Sequence, residues 1–514
     1  MAVAVVSILV WYGVGISAST PKAGPGLVLD EGWTHLTFAR NLAQRGIWSI
    51  QPERTTGGEN SILWVLILAA GLKITSDGVL AGYVLNGILL VTLAWLVRRM
   101  WNPGVRGVLL FVLTLMAAAN GNMIWHAFSG METLLVLVLG VGAFHLASNS
   151  HYRWAAVLVF LSAMTRPEGF LVGVVVILWF RNAGGVLTLT AGLLGLVFSL
   201  LWNDHVTGTL LPNTMVGQRW LIGAGPDWDR TPLDILRNTG YLTGLWGYRF
   251  LQFTLGEAWF RSIGWGWFGG LLAVVGIAVT ITGLWAYMSR LRPVTGCVLT
   301  WAAIQMVAYA VVLPSRGHAG RYQPVVLLLL VLLIGHGLAY LHSLREGKLP
   351  IGPEAAVVAG ACLLSVFIWR NIVIDSVSHF DRIHVAAGRW IAQHTSKTAR
   401  IAAFELGALS YFGDRPVIDI GGQVDPTAGW ALYQNQTAEY MESRRADYLV
   451  MVFPYTDPEE YIRRAGLDRL ANNGTLRLKE EFFLPVPKTY LPGEASQVVA
   501  NKIRIYKLRW NKNP

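Results

Sequence analysis

The stretch RGHAGRYQPVVLLLLVLLIGHGLAYL, residues 316–341, decides the fold of this chain. From Val325 to Leu341 it is almost wholly apolar, and one crossing of a bilayer takes ~20 such residues. Similar runs occur at Gly107–Ala119 and Met131–Ala147. Only 14% of the 514 residues are charged, whereas soluble domains carry about a quarter. The sequence therefore predicts a polytopic α-helical membrane protein.

Basic residues in the short loops between apolar runs predict the orientation of the chain. Arg98 and Arg99 flank one turn, Arg290 another and Arg345 a third, and such residues are concentrated on the cytoplasmic side. If these turns are cytoplasmic, the chain crosses the membrane eleven times. The predicted spans are residues 2–18, 79–98, 107–125, 132–148, 154–166, 168–181, 185–202, 262–288, 294–313, 323–343 and 354–371. The same bias accounts for the net charge of +11, so we expect no nucleic-acid partner.

Two parts of the chain differ in composition. Residues 1–371 are predicted to form the transmembrane domain, with a first outer loop at 19–78 and a second at 203–260. Within the first loop, Gly32–Gln44 is amphipathic and Ser61–Ile74 is too short to span, which predicts two juxtamembrane helices. The first segment, Ala2–Ser17, lacks a basic beginning, so we expect a membrane helix rather than a signal peptide.

Residues 372–514 have the mixed composition of a water-soluble fold and alternate helix and strand signals. We expect a small extracytoplasmic α/β domain here. One helix is predicted at Gly388–His394. The predicted strands are Arg400–Phe404, Pro416–Ile420, Asp447–Phe453 and Lys502–Leu508.

Charged residues at the edge of a membrane are costly, so each group of them is a candidate site. Asp30 and Glu31 follow the first span, where a carboxylate can act as a general base, ligate a metal or cap the next helix. Glu132 opens a later span and is a candidate site or a helix cap; His126 shortly precedes it. All three carboxylates are candidate metal ligands.

Three further polar groups are predicted on the same outer side. Arg166 and Glu168 lie at a Pro-Gly kink and form either a site or a structural ion pair. His318, Arg321 and Tyr322 precede the apolar run quoted above, and guanidinium groups bind phosphate well; membrane anchoring by arginine is the alternative. The third group, a weaker signal, consists of Asn213 and Arg219. Together these positions favour an enzyme site at one membrane face.

Several motifs resemble those of bacterial GT-C superfamily glycosyltransferases, in particular the branch of the mycobacterial terminal arabinofuranosyltransferase. Asp30-Glu31 is followed by FARNLA at 38–43 and NSILW at 60–64. The later matches, in chain order, are GMET at 130–133, RPEG at 166–169, LPNT at 211–214, GRY at 320–322 and LGAL at 406–409. Departures at Gly32-Trp33, Ile62 and Gln218 leave the sugar and the acceptor open.

The resemblance implies sugar transfer, with inversion, from a polyprenyl-phosphate donor to a glycan or lipid acceptor outside a bacterial plasma membrane. The sugar would be a pentofuranose such as arabinofuranose. Asp30 would be the general base, and Arg321, with His318 or Arg219, would stabilise the departing phosphate. Glu31 or Glu132 would position the acceptor or hold Mg²⁺ or Mn²⁺. The candidate substrate-binding residues are Arg40, His126, Glu132, Arg166, Glu168, Asn213, Arg219, His318, Arg321 and Tyr322.

A transporter or flippase of lipids or polysaccharides is the main alternative to an enzyme. Such a protein is expected to have broken helices and polar residues near the midplane of the bilayer, and often two related halves. In this sequence the charged groups are predicted at one membrane face. A polymerase or ligase of polysaccharide chains and a non-catalytic glycan-binding subunit are further alternatives.

Overall fold

The fold is known from a computed structural model, in which apolar helices precede a mixed α/β region. The structure describes residues 1–20, 26–53, 55–101, 107–212, 214–221, 231–249, 264–289, 292–313, 317–344, 353–454, 462–463, 465–484 and 500–510. Statements about structure below refer to these residues. The predicted site residue Asn213 and the side chain of His318 lie outside the described part.

Sixteen helices are described between residues 2 and 380, and most are strongly apolar. They are α1 Ala2–Ser19, α2 Asp30–Arg45, α3 Ile62–Ile74, α4 Gly78–Arg98, α5 Gly107–Ala118, α6 Gly121–Ala127, α7 Thr133–Ser148, α8 Tyr152–Thr165, α9 Leu171–Phe180, α10 Ala183–Thr207, α11 Thr214–Leu221, α12 Pro232–Arg249, α13 Gly266–Ser289, α14 Pro293–Val312, α15 Pro324–Leu344 and α16 Pro353–Phe380. A 3-10 turn, Pro167–Phe170, precedes α9, and another, His318–Gly320, precedes α15.

Helices occupy all eleven segments that the sequence predicts as spans. Among the described helices, six are long and apolar enough to cross a membrane: α1, α4, α10, α13, α14 and α15. Helices α5 and α6 meet at a 52° bend and give a seventh if they form one broken span. Helices α7, α8 and α9 are apolar but shorter. The chain is thus a multi-pass helical membrane protein, and eleven crossings remain a prediction.

The first outer loop contains the two helices expected from its sequence, α2 and α3. Helix α2 begins with two acidic residues, which favour the positive end of a helix dipole. It ends at Gly46, whose φ of 69° is the left-handed conformation that glycine adopts most readily. Trp33, Leu36 and Phe38 are buried, and α2 packs against α3 and against the C-terminal region.

The second outer loop is more helical than the sequence suggests. Helix α12 lies inside it and buries Leu242 and Trp246, packing against α14. Its many polar residues and the preceding prolines make this helix hard to recognise in the sequence. In the folded protein, the packing of one buried face is enough to stabilise it. Helix α11, also in this loop, packs against the C-terminal region.

The C-terminal region contains one five-stranded sheet with the order β2-β1-β3-β5-β4. Its elements are α17 Ala386–His394, β1 Ile401–Ala403, α18 Gly407–Gly413, β2 Val417–Asp419, α19 Pro426–Tyr433, α20 Thr437–Ser443, β3 Tyr448–Pro454, α21 Asp468–Asn472, β4 Leu476–Phe483 and β5 Ala500–Leu508. Strands β2, β1 and β3 are parallel, and β5 is antiparallel to both β3 and β4.

Four of these five strands coincide with predicted ones, and β4 was missed. Its residues include Arg477, Lys479, Glu480 and Glu481, and most of its side chains are exposed or half-buried. β4 is an edge strand, and charged residues on an edge strand prevent pairing with other chains. That composition weakens the apolar alternation by which strands are recognised in a sequence.

Candidate active site

Close backbone packing brings the start of α2 against the loop that precedes α7. A Cβ atom on Gly32 would lie 2.2 Å from the carbonyl oxygen of Ser129, so only glycine fits there. The indole Nε1 of Trp64 donates a hydrogen bond of 2.9 Å to the carbonyl oxygen of Gly130. These contacts hold the first outer loop against the segment that directly precedes Glu132.

Six charged side chains then form the group that we call the membrane-side cluster: Glu59, His35, Glu132, Arg166, Arg321 and Glu31, of which all but Glu31 are buried. Glu59 Oε2 lies 2.7 Å from His35 Nδ1, and His35 Nε2 lies 3.1 Å from Glu132 Oε2. Arg166 Nε donates to Glu132 Oε1 at 2.5 Å. Glu132 is 3% exposed and Arg166 6% exposed, so each needs the other to offset the loss of water.

The two glutamates beside His35 favour its protonated form. Burial lowers the pKa of His35, but the Glu59 and Glu132 carboxylates outweigh that effect and raise it to about 10. At neutral pH the imidazolium of His35 is therefore charged and lies between two carboxylates.

Arg321 continues the cluster toward the start of α15. Its Nη2 donates to Glu31 Oε1 at 2.5 Å and to the Tyr322 hydroxyl at 3.2 Å, while Arg166 Nη1 donates to the Arg321 carbonyl oxygen at 2.6 Å. The residue is only 3% exposed. Its Nε and Nη1 have no hydrogen-bond acceptor among the residues that the structure describes. A buried guanidinium thus keeps two donor atoms for a further acceptor.

Two other predicted residues lie beside this arginine pair. His126 is fully buried and lies near Ala319, Arg166 and Arg321. Glu168 accepts a hydrogen bond of 2.6 Å from the Tyr309 hydroxyl. Its Oε1 is 3.9 Å from Arg166 Nη1, so the predicted Arg166–Glu168 ion pair is present but long, and Glu132 holds Arg166 at shorter range.

Asp30 has a different environment from its neighbour Glu31. Its Oδ2 accepts from the amide of Gly407 and its Oδ1 from the amide of Ala408, both at 2.8 Å, at the start of α18. His384 and Glu405, which are 2.6 Å apart through His384 Nε2 and Glu405 Oε2, lie close enough to influence it. Burial, and then the Glu405 carboxylate, raise the pKa of Asp30 to about 7. Burial is the largest of these influences on the pKa of Asp30, and the C-terminal region supplies both amides and the Glu405 carboxylate.

Two predicted substrate-binding residues lie away from the membrane-side cluster. Arg40 Nη1 donates to the carbonyl oxygen of Tyr411 at 2.5 Å, and its Nη2 is 3.5 Å from Asp414 Oδ1. Arg219 hydrogen-bonds Tyr433, and α11, which carries it, packs against the C-terminal region. Both arginines therefore contact the C-terminal region and are not part of the membrane-side cluster.

The candidate metal ligands Asp30, Glu31 and Glu132 do not converge on one point. Asp30 binds backbone amides, Glu31 binds Arg321, and Glu132 binds Arg166 and His35. Within the described residues, no group of three or more His, Cys, Asp or Glu side chains is arranged to hold a metal ion. These three residues therefore do not fit a shared Mg²⁺ or Mn²⁺ site.

Sequence reasoning missed three members or neighbours of the site: His35, Glu59 and Tyr309. His35 looked like part of the polar, solvated face of α2, whereas it is 7% exposed and bridges two glutamates. Glu59 directly precedes the NSILW motif at residues 60–64, and a carboxylate next to a membrane-edge helix was the signal that could have identified it.

Comparisons with known proteins fit this architecture. Residues 372–494 match a family described as a domain of unknown function (DUF8728). No curated protein matches the sequence significantly. The structure is similar to ArnT from Cupriavidus metallidurans in the apo state, with a TM-score of 0.55, 13% identity and coverage of 98% of this chain and 96% of that one. It is also similar to the same protein bound to undecaprenyl phosphate, with a TM-score of 0.56, 12% identity and coverage of 98% and 97%.

At such low identity the likeness shows the fold alone. It extends over nearly the whole of both chains, so it includes the helical part and the C-terminal region together. The chain therefore has the fold of ArnT, in which apolar helices precede the C-terminal α/β region.

Proposed function

We propose that this protein is a membrane glycosyltransferase that uses a polyprenyl-phosphate sugar as donor and an extracytoplasmic glycan or lipid as acceptor. The observation that carries the proposal is Arg321, a buried guanidinium with two donor atoms left for an anion. Its position just before the apolar helix α15 suits a phosphate whose lipid tail stays in the bilayer. The similar ArnT structure bound to undecaprenyl phosphate supports the same class of ligand.

The charged neighbours of Arg321 act as positioning residues. Arg166 holds the Arg321 main chain through its carbonyl oxygen, and Glu132 and His35 hold Arg166 in turn. Glu31 orients the guanidinium through one nitrogen. A fixed cation aimed at a leaving phosphate stabilises the charge that develops as the bond to the sugar breaks.

Asp30 takes the proton from the acceptor hydroxyl in this proposal. The hydroxyl oxygen attacks the anomeric carbon, the bond from that carbon to the phosphate oxygen breaks, and the configuration is inverted. Each carboxylate oxygen of Asp30 binds one backbone amide and retains a second lone pair for the proton. A pKa of about 7 is suited to a base that works near neutral pH, and such a base contributes roughly 10²–10⁴-fold to the rate.

The sugar and the side of the membrane also belong to the proposal. The sequence resemblance favours a pentofuranose such as arabinofuranose. The basic loops between apolar helices favour an active site and a C-terminal domain outside the cytoplasm of a bacterium, with the protein in its plasma membrane. A domain boundary near residue 371 fits the matched family, which begins at residue 372.

The test is a transfer assay with the purified full-length protein. Synthetic polyprenyl-phosphate pentofuranoses and hexopyranoses are offered with a panel of oligosaccharide and glycolipid acceptors, and the released polyprenyl phosphate and the product linkage are measured. We expect transfer with inverted anomeric configuration, and equal rates with and without EDTA because the carboxylates do not converge. Tight donor binding with no transfer to any acceptor would favour a transporter. Absence of donor binding would overturn the proposal.

A further inference from the structure

A polar cavity lies where the first outer loop meets the C-terminal region. Its volume is about 250 Å³, below the ~300–1,000 Å³ of pockets that hold drug-sized ligands, so it suits a single small ring. Three parts of the chain line it: residues 50, 51 and 55–57 of the first outer loop, the end of α10, and β2 with segments that follow it. None of its lining residues belongs to the membrane-side cluster.

The cavity lies against the edge strand β2, which is parallel to its neighbour β1. Asp419, the last residue of β2, lines the cavity. Its carboxylate accepts hydrogen bonds from the amides of Gly421, Val424 and Asp425 at 2.8, 2.6 and 3.0 Å. One wall is therefore fixed in shape before any ligand arrives.

The lining chemistry fits a neutral, hydroxyl-rich ligand. Asp425 Oδ2 accepts from the Tyr440 hydroxyl and from Arg444 Nη2, both at 2.9 Å, so the charged pair is balanced. Thr55 and Thr56 add hydroxyl groups. Ile50, Val206 and Pro426 supply apolar contacts for the carbon face of a ring. The carboxylates of Asp419 and Asp425 disfavour an anion, and the polar lining disfavours a lipid tail.

The cavity is linked directly to the candidate active site. Gly57 lines the cavity, and Glu59, two residues on, binds His35 of the membrane-side cluster. Two residues of extended chain span at most ~7 Å. Between them, Gly58 packs so closely that a Cβ atom would lie 2.2 Å from Val424 Cγ1. A short and closely packed segment thus connects the cavity to the membrane-side cluster.

We propose that this cavity binds a neutral sugar unit of the acceptor glycan, at a distance from the hydroxyl that receives the new sugar. The inference rests on the proposed function and extends it. If the cavity binds such a unit, the affinity of the protein for the acceptor depends on the number of sugar units in the acceptor. Donor affinity is independent of the cavity, because the lipid phosphate is assigned to Arg321.

Arg444→Gln is the decisive variant, because it removes one charged donor from the lining and keeps a polar side chain. Its matched control is Arg469→Gln, which alters an arginine on the same region that pairs with Glu439 and does not line the cavity. Both are compared with the wild type using synthetic arabinofuranose oligosaccharides of two and five units. Melting temperatures confirm that each variant is folded.

We expect Arg444→Gln to raise KM for the five-unit acceptor about tenfold, the order expected for one hydrogen bond to a charged group. KM for the two-unit acceptor, KM for the donor and kcat should stay at wild-type values, and Arg469→Gln should change nothing. Equal KM for the long acceptor in wild type and Arg444→Gln would overturn the inference and leave the proposed function intact.

A second measurement does not require transfer. Saturation-transfer NMR detects binding of the five-unit oligosaccharide to the full-length protein in detergent. We expect a signal in the wild type that weakens in Arg444→Gln and persists in Arg469→Gln. Equal signals in all three proteins, or none in the wild type, would overturn the inference. Failure of the proposed function would show differently, as an absence of transfer to every acceptor.

Discussion

Asp30 and Glu31 are adjacent carboxylates with opposite surroundings. Glu31 belongs to the membrane-side cluster, in which each carboxylate has a cationic partner. The partner of Glu31 is Arg321. Asp30 faces the C-terminal region, where its partners are two backbone amides and its nearest charged neighbours are Glu405 and His384. Consecutive residues of a helix point about 100° apart, so one step along α2 separates the two environments.

This difference indicates that the two parts of the site have different roles. The membrane-side cluster is a rigid array of fixed charges suited to holding a phosphate. The interface with the C-terminal region raises the pKa of one carboxylate toward neutrality and so suits proton transfer. The C-terminal region is then part of the catalytic machinery. The following predictions test each side of the comparison.

The largest effect on transfer is expected from a change in the membrane-side cluster, Arg321→Gln. Removing a charged group that stabilises a leaving phosphate should lower kcat by roughly 10²–10³-fold, in line with the loss of an oxyanion donor. The measurement is the rate of release of polyprenyl phosphate at saturating donor. Arg504→Gln, in a half-exposed pair with Glu481, is the control and should keep wild-type transfer. A rate within a few-fold of wild type for Arg321→Gln would remove the assignment.

Glu132→Gln tests the rigidity of the same cluster. It leaves Arg166 buried without its counter-charge, which should cost roughly 3–5 kcal/mol in the free energy of unfolding. Denaturation in detergent measures this loss. Glu481→Gln breaks an ion pair whose members are about one-third exposed, and it should cost at most ~1 kcal/mol. Equal losses in the two variants would contradict a structural role for the buried pair.

The pH dependence of transfer tests the role of Asp30 at its contact with the C-terminal region. Since the base must be deprotonated, kcat/KM should rise with pH through about 7, the pKa of Asp30. The Glu405 charge raises this pKa and the His384 charge lowers it, with Glu405 the larger influence. Glu405→Gln should therefore move the acid limb to lower pH, and His384→Gln should move it to higher pH. Coincident profiles for the three proteins would contradict the assignment.

The smallest effect is expected from Arg40→Ala. Arg40 contacts the Tyr411 backbone and Asp414, whose side chain is 44% exposed, and it is outside the membrane-side cluster. Exposed pairs of this kind contribute at most ~1 kcal/mol, so transfer should fall no more than about fivefold. Steady-state transfer assays of this variant beside Arg321→Gln compare the two directly. A loss as large as that of Arg321→Gln would return Arg40 to the substrate site.

The sequence predicted the apolar helices and part of the site, because apolar length and membrane-edge charge are local signals, whereas α11 and α12 depend on packing and were not predicted. Glu132, Arg166 and Arg321 lie in three separate loops, and the prediction that they share one face agrees with the contacts between them. The bridging role of His35 was not predictable, because it depends on where Glu59 and Glu132 lie in space. Likewise, the contact of Asp30 with Gly407 joins residues that are 377 positions apart.

The most direct test of the account compares Asp30→Asn with Glu31→Gln in the transfer assay. Hydrogen exchange at the Gly407 and Ala408 amides shows whether Asp30→Asn preserves the interface. We predict that Asp30→Asn lowers kcat by roughly 10²–10⁴-fold while donor binding persists, and that Glu31→Gln acts chiefly on KM. A folded Asp30→Asn protein with near-wild-type transfer would contradict the account, and loss of kcat in Glu31→Gln alone would move the base to Glu31.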